Sequence, residues 1–375
     1  MITGRRDALV PTKQCVGVNA KKYKGNPNPN FMAKKKYSRR MKKIEPAELS
    51  MTFTLPALDA TYPTYRPTID LSQCASLLNR RFYRQGLNWA VSGFTLHTSQ
   101  FNTGTLTISK LPNTWVMSNA WEKGFRVWQR MNNEALEENE SVRPRFLDFK
   151  IYANNQHHDQ GFDDNMRPFI YLNTGARSTA TAGEWESSKI VIPQGQGAFE
   201  GTVASSEFIA VGASWPGVST ATGKNAVSLI EGYASSRALP NIADPNMPDD
   251  LDDTTGTNPE NWMTAVFNEG TQQDQFVLDD MQQENNVAPY PFENDGVSAD
   301  TMYPGGANQV PGLVFHDRMN VTPTTVSGKT HAVGGNFPCG LIQLNYPEAM
   351  EDAVLQIHLV PGDHRGYLCE PMTEM

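Results

Sequence analysis

Long hydrophobic runs are missing from this sequence. No stretch of about 18 consecutive apolar residues occurs, so no membrane-spanning helix is expected. No apolar segment follows the first charges, so the start does not read as a secretory signal. Cysteine is scarce: Cys15, Cys74, Cys339 and Cys369 are the only four in 375 residues, and none forms a C-x-x-C pair. That spacing excludes the common zinc and redox motifs and argues against a disulfide scaffold, leaving ordinary reduced thiols of an intracellularly made protein. Charge is thin as well, at 19% of residues against the usual quarter. Asn, Thr, Ser, Gln, Gly and Pro fill the gap, as they do in all-β proteins rich in loops. Neither G-x-S-x-G nor H-E-x-x-H is present, so no catalytic signature nominates an enzyme. No repeat with a period of 20–50 residues is apparent.

What charge there is falls into two opposite blocks. Residues 1–43 hold thirteen Lys and Arg against one acid, Asp7, a net +12. The remaining 332 residues carry nineteen basic and thirty-nine acidic side chains, a net −20. Between Arg237 and Arg318 there is no Lys or Arg, while residues 238–317 hold fifteen Asp and Glu. Residues 1–48 have almost nothing apolar to bury and repel one another, so they are expected to form a disordered basic arm. Residues 49–375 are then the folded domain, with an acidic loop or projection inserted at about 238–317.

Strand patterns begin at Ser50. Ser50–Leu55, Asn88–Thr98, Thr105–Ser109, Arg145–Ala153, Pro168–Leu172, Lys189–Ile192, Glu207–Ala213, Gly340–Tyr346 and Ala353–Val360 read as strands between Gly, Pro, Asn and Asp. Val227–Tyr233 is ambiguous between strand and short helix. One helix stands out over Asn113–Leu136, where Met117, Trp121, Phe125, Trp128, Met131 and Ala135 fall on one face, with Asn113 or Thr114 as its cap. Strands without βα alternation predict an all-β fold: a single jelly-roll β-sandwich of about eight strands with one inserted helix and long loops.

The basic arm is the strongest functional signal. Lys21, Lys22, Lys24, Lys34, Lys35, Lys36, Arg39, Arg40, Lys42 and Lys43 can neutralise phosphates and release condensed counterions without reading sequence. Tyr23, Phe31 and Tyr37 are placed to stack on unpaired bases, and Lys34–Lys43 also has the composition of a nuclear-localisation signal. Other features have plainer readings. Ser327-Gly328-Lys329-Thr330 ends like a phosphate loop, but Pro323 stands where its first glycine belongs, so a turn is expected. Asp249, Asp250, Asp252 and Asp253 lack the spacing of a calcium loop and read as a solvated acidic stretch. His157-His158-Asp159 reads as an exposed polar loop. Trp115, Trp121 and Trp128 are expected in the core, since each indole buries a large area.

The Lys/Arg arm ending at Lys42-Lys43, the strand series from Ser50 and the Trp-rich stretch NTWVMSNAWEKGFRVWQRMNNEAL together resemble coat proteins of small circular single-stranded DNA viruses that encode a rolling-circle replication protein. The resemblance implies a single jelly-roll shell domain, icosahedral self-assembly, an internal arm on the genome and outward-facing loops. It implies a non-enzymatic homo-oligomer located in the virion, with passage through the host nucleus during assembly. Its partners would be further copies of itself, a single-stranded DNA genome and an unspecified host receptor, with no membrane. No cofactor is implied, apart from calcium where carboxylates of two subunits meet. The plan also looks like the shell proteins of small positive-strand RNA viruses. Two alternatives of other classes are a carbohydrate-binding β-sandwich and a nucleic-acid-processing enzyme, which would need a titratable cluster in a basic cleft.

Overall fold

The computed structural model describes residues 45–56, 66–99, 102–136, 148–171, 176–193, 203–237, 312–347, 350 and 353–375. All belong to one compact unit, Lys43–Met375. In chain order the elements are β1 (Ser50–Thr54), β2 (Thr68–Asp70), α1 (Leu71–Asn79), β3 (Leu87–His97), β4 (Gly104–Lys110), α2 (Trp115–Leu136), α3 (Asn155–Gln160), β5 (Phe169–Tyr171), β6 (Arg177–Thr179), β7 (Lys189–Pro193), β8 (Val203–Ile209), β9 (Ala226–Ser228) and α4 (Leu229–Arg237). They continue with β10 (Val314–Val321), β11 (Lys329–Phe337), β12 (Leu341–Asn345), β13 (Val354–Leu359), β14 (Pro361–Gly362), β15 (Gly366–Tyr367) and β16 (Cys369–Pro371).

Two antiparallel sheets share one core. The first runs β1-β13-β3-β11, with β16 beside the start of β3; the second runs β10-β4-β12-β2. From the first sheet Met51, Phe53, Phe94, Leu96, Leu355 and Ile357 point inward. Ile69, Leu106, Ile108, Met319, Ile342 and Leu344 meet them from the second. Alternation along each strand does this: in β13 Leu355, Ile357 and Leu359 are buried while Gln356 and His358 face out. The chain is thus strand-rich with antiparallel sheets, compatible with a β-sandwich.

Strand β3 shows how a long strand keeps its register. Its inward residues are Trp89 and Val91 in one half, then Phe94 and Leu96 in the other, a change of parity. The pairing with β13 shifts between His358 and Leu359, leaving Ser92 as an extra residue. That bulge returns both halves of β3 to the core face.

A long excursion separates β4 from β10. It holds α2, α3, α4 and the small sheet β7-β8-β9, where β8 and β9 run parallel. Helix α2 forms where its period predicts. Thr114 Oγ1 accepts the Met117 N–H at 3.4 Å as its cap. Met117, Trp121 and Trp128 pack with Phe149, Phe208, Val227 and Leu229 in a second core.

Several expectations need correction. Four α-helices lie among the described residues, not one. Helix α1 begins because Asp70 caps it, accepting from Ser72 N at 2.9 Å and Gln73 N at 3.3 Å. The ambiguous stretch Val227–Tyr233 is both: β9 ends at Ser228 and α4 begins at Leu229. In Arg145–Ala153 the described part forms only an isolated bridge, Tyr152 to Ile209. The strand placed at Glu207–Ala213 is β8, Val203–Ile209, offset by four residues. Ser327-Gly328 do form a turn, with Ser327 at φ 59°, but Lys329-Thr330 open β11. Likewise β10 starts at Val314, inside the segment assigned to the acidic insertion.

Candidate functional site

All ten Lys and Arg residues expected to hold nucleic acid, Lys21 through Lys43, lie outside the described residues, as do Asp249–Asp253 and Cys15. What is described is where the basic segment joins the body. Glu45 pairs with Arg81, the Glu48 N–H donates to Asn79 Oδ1 at 3.1 Å, and the Tyr367 hydroxyl donates to Glu48 O at 2.7 Å. Tyr367 also accepts from Asn79 Nδ2 at 2.7 Å and packs on Trp89 at 5.3 Å between rings. Residues Glu45–Glu48 are therefore fixed to the end of α1 and to the hairpin β14–β15.

The loop after α1 carries Arg80, Arg81 and Arg84, all exposed, with Phe82 between them. Hairpin β14–β15 brings Arg365 to the same place. Its guanidinium donates to Phe82 O at 2.6 Å, and its own carbonyl accepts the Tyr83 hydroxyl at 3.0 Å. Sequence patterning alone passes over this group, because Arg365 is nearly 300 residues away. The available signal was the local run Arg80-Arg81-Phe82-Tyr83-Arg84 within an otherwise anionic body.

Beneath this loop lies a buried polar junction. Asp70 accepts from Gln85 Nε2 at 3.0 Å and Trp185 Nε1 at 3.1 Å besides capping α1. Burial nevertheless pushes its carboxyl up to about 6. A second chain of bonds runs one way: Ala153 N to His157 Nδ1 at 3.0 Å, His157 Nε2 to Asn165 Oδ1 at 2.8 Å, Asn165 Nδ2 to Gln73 Oε1 at 3.0 Å. That polarity requires a neutral His157, and burial pushes its pKa down to about 4.

His157 and His158 are therefore not in an exposed loop, as the polar sequence implied; both are buried on α3. His158 Nε2 lies 2.9 Å from Glu207 Oε2, an oxygen that also accepts from Thr222 Oγ1 at 2.7 Å. Glu207 is itself buried, and its hydrogen bonds with His158, Ser187 and Thr222 outweigh burial and hold its carboxyl below the usual range. These groups have the reactive types of an acid–base site but are engaged with one another. Among the described residues no three His, Cys, Asp or Glu side chains converge to hold a metal ion. Cys74 and Cys339 are free and buried, and Cys369 is free and half-buried. No described helix is long and apolar enough to cross a membrane.

Comparison with protein-family models finds no match, and no curated protein or solved structure shows significant similarity to the chain.

Proposed function

We propose that this chain is the coat protein of a small virus, a jelly-roll shell protein that assembles into an icosahedral particle and packages nucleic acid through residues 1–43. The observation that carries the reading is the strand order. Taking the eight sandwich strands in sequence, the two sheets run first-eighth-third-sixth and second-seventh-fourth-fifth. Such winding, with the last strand returning beside the first, is that of a double Greek key, and it supports a jelly roll. The +12 segment ahead of the first strand supports a nucleic-acid partner. The resemblance to coat proteins of circular single-stranded DNA viruses makes single-stranded DNA the proposed cargo, the virion the proposed location and the nucleus a station during assembly.

In this reading the protein works by association rather than catalysis. The sandwich is a rigid block, held by its shared core. Many copies meet through symmetric contacts that are individually weak and add up in a closed shell. Neutralisation of genome phosphates by the basic segment couples closure of the shell to packaging. Electron microscopy of the purified full-length protein tests this: closed particles of tens of nanometres are expected, and a small soluble oligomer under all ionic conditions would refute it.

A further inference from the structure

Residues 44–375 sum to −20, yet the loop after α1 exposes three arginines, and a fourth, Arg365, binds that loop through Phe82 O. Arg80, Arg81 and Arg84 come from the loop after α1, and Arg365 from the β14–β15 hairpin. Two of them have left-handed backbones, Arg80 at φ 52° and Arg365 at φ 50°. Arg80 is the left-handed cap that ends α1, and Arg365 occupies the turn of the hairpin, so each arginine is held at a fixed corner of the chain. Nearby acids are Glu45, which pairs with Arg81, Asp363 in the same hairpin, Asp148, which pairs with Lys150 and also feels Arg84, and Glu184 and Glu186 on the cavity beside Phe82. The guanidiniums of Arg80 and Arg84 form no hydrogen bond or salt bridge among the described residues.

An aromatic ring stands among these cations. Phe82 is 47% exposed, unusual for so large an apolar side chain held beside buried Tyr83. Its ring is steadied by Trp185 at 6.1 Å between centroids and by Lys150 Nζ at 5.6 Å. It forms one wall of a cavity of about 670 Å³ lined also by Trp128, by the cations Lys150 and Lys189 and by the acids Asp148, Glu184 and Glu186.

We infer that this patch is a second nucleic-acid contact, on the folded body, for an unpaired strand. The guanidiniums of Arg80, Arg81, Arg84 and Arg365 take backbone phosphates, for which their planar donor forks are suited. Phe82 stacks on a base, which only a single strand offers, because a duplex hides its base faces. An acidic peptide would use the arginines but has no need of the exposed ring. Glu45, which pairs with Arg81, follows Lys43 by two positions in the sequence, so the patch and the basic segment are neighbours along the chain. The choice of partner rests on the nucleic-acid reading of that segment.

Fluorescence anisotropy of full-length protein with a labelled oligodeoxythymidine, titrated at several salt concentrations, separates the two sites. The double variant Arg80→Gln/Arg84→Gln loses two phosphate contacts, so the slope of log affinity against log salt falls by about 1.4. Phe82→Leu weakens binding by roughly 5- to 100-fold and leaves that slope unchanged. The variant Lys34→Gln/Lys35→Gln/Lys36→Gln reads the basic segment alone, with an expected slope decrease of about 2. A wild-type slope in the arginine variant, with the lysine variant responding, overturns the patch. A normal slope in the lysine variant, with the arginine variant responding, sinks the basic-segment reading and leaves the patch standing. If the arginine variant binds normally but no longer assembles, the patch is a contact between copies and the proposal fails.

Discussion

Gln85 clasps the backbone of Ile151 with both ends of its amide. Its Oε1 accepts the Ile151 N–H at 2.7 Å, and its Nε2 donates to the Ile151 carbonyl at 3.0 Å while also reaching Asp70. Both residues are fully buried, so the long excursion between β4 and β10 is tied to the sandwich by a side chain acting as a strand partner. Gln85→Leu leaves the Ile151 N–H and C=O orphaned away from water. The expected loss is about 2–6 kcal/mol, since each of the two buried unpaired groups costs about 1–3 kcal/mol. Urea unfolding measures it, and a midpoint unchanged from wild type would show that water replaces the clasp.

Trp121 is a core residue of α2, stacked on Phe125 at 5.1 Å and edge-on to Phe149 at 5.8 Å. Trp121→Ala should destabilise by about 3–5 kcal/mol. Its Nε1 is buried without a partner among the described residues, so Trp121→Phe should cost clearly less. A methyl group at Gly86 would run into the indole. Gly86→Ala is therefore expected to destabilise wild type and to be nearly neutral in the Trp121→Ala background, a coupling that a double-mutant cycle reads.

Two buried groups titrate in opposite senses. His157 falls from 6.5 to about 4 on folding, so between these values the unfolded chain binds more protons and stability from this residue grows as pH rises. Asp70 rises from 3.8 to about 6, so its contribution is fully present below the lower value and lost as pH climbs through the upper one. Each shift is worth about 3 kcal/mol, and the two nearly offset between about pH 4 and 6. Relative to wild type, His157→Gln should lose stability as pH rises through this range, and Asp70→Asn should gain it. Denaturant midpoints across the range give the answer; parallel curves for all three proteins would refute the assignment.

The elements legible in the sequence were those whose pattern is local. Alternation marked β1 and β13, apolar runs between turn residues marked β3, β4 and β12, and the 3.6-residue period marked α2 with Asn113 or Thr114 as its cap. Strands β10 and β11 were missed because their alternation is broken: it holds over Arg318–Val321 and Lys329–Val333 but not along either whole strand. In β11, Gly334 and Gly335 interrupt the pattern. In β10, His316 turns to Val333 O at 3.0 Å across a register shift between Phe315 and Asp317. Polarity misled at His157 and His158, since polar side chains are buried when a fold supplies partners as distant as Glu207. The arginine patch was illegible as a site because Arg365 joins it only through the tertiary fold.

The measurement closest to the central claim is the amount of nuclease-protected nucleic acid in purified particles of full-length protein and of a variant lacking residues 1–43. Protected nucleic acid is expected with the full chain and almost none with the truncated one, while both give the same circular dichroism signature of the folded body. Equal protection by the two proteins would contradict the assignment of packaging to the basic segment.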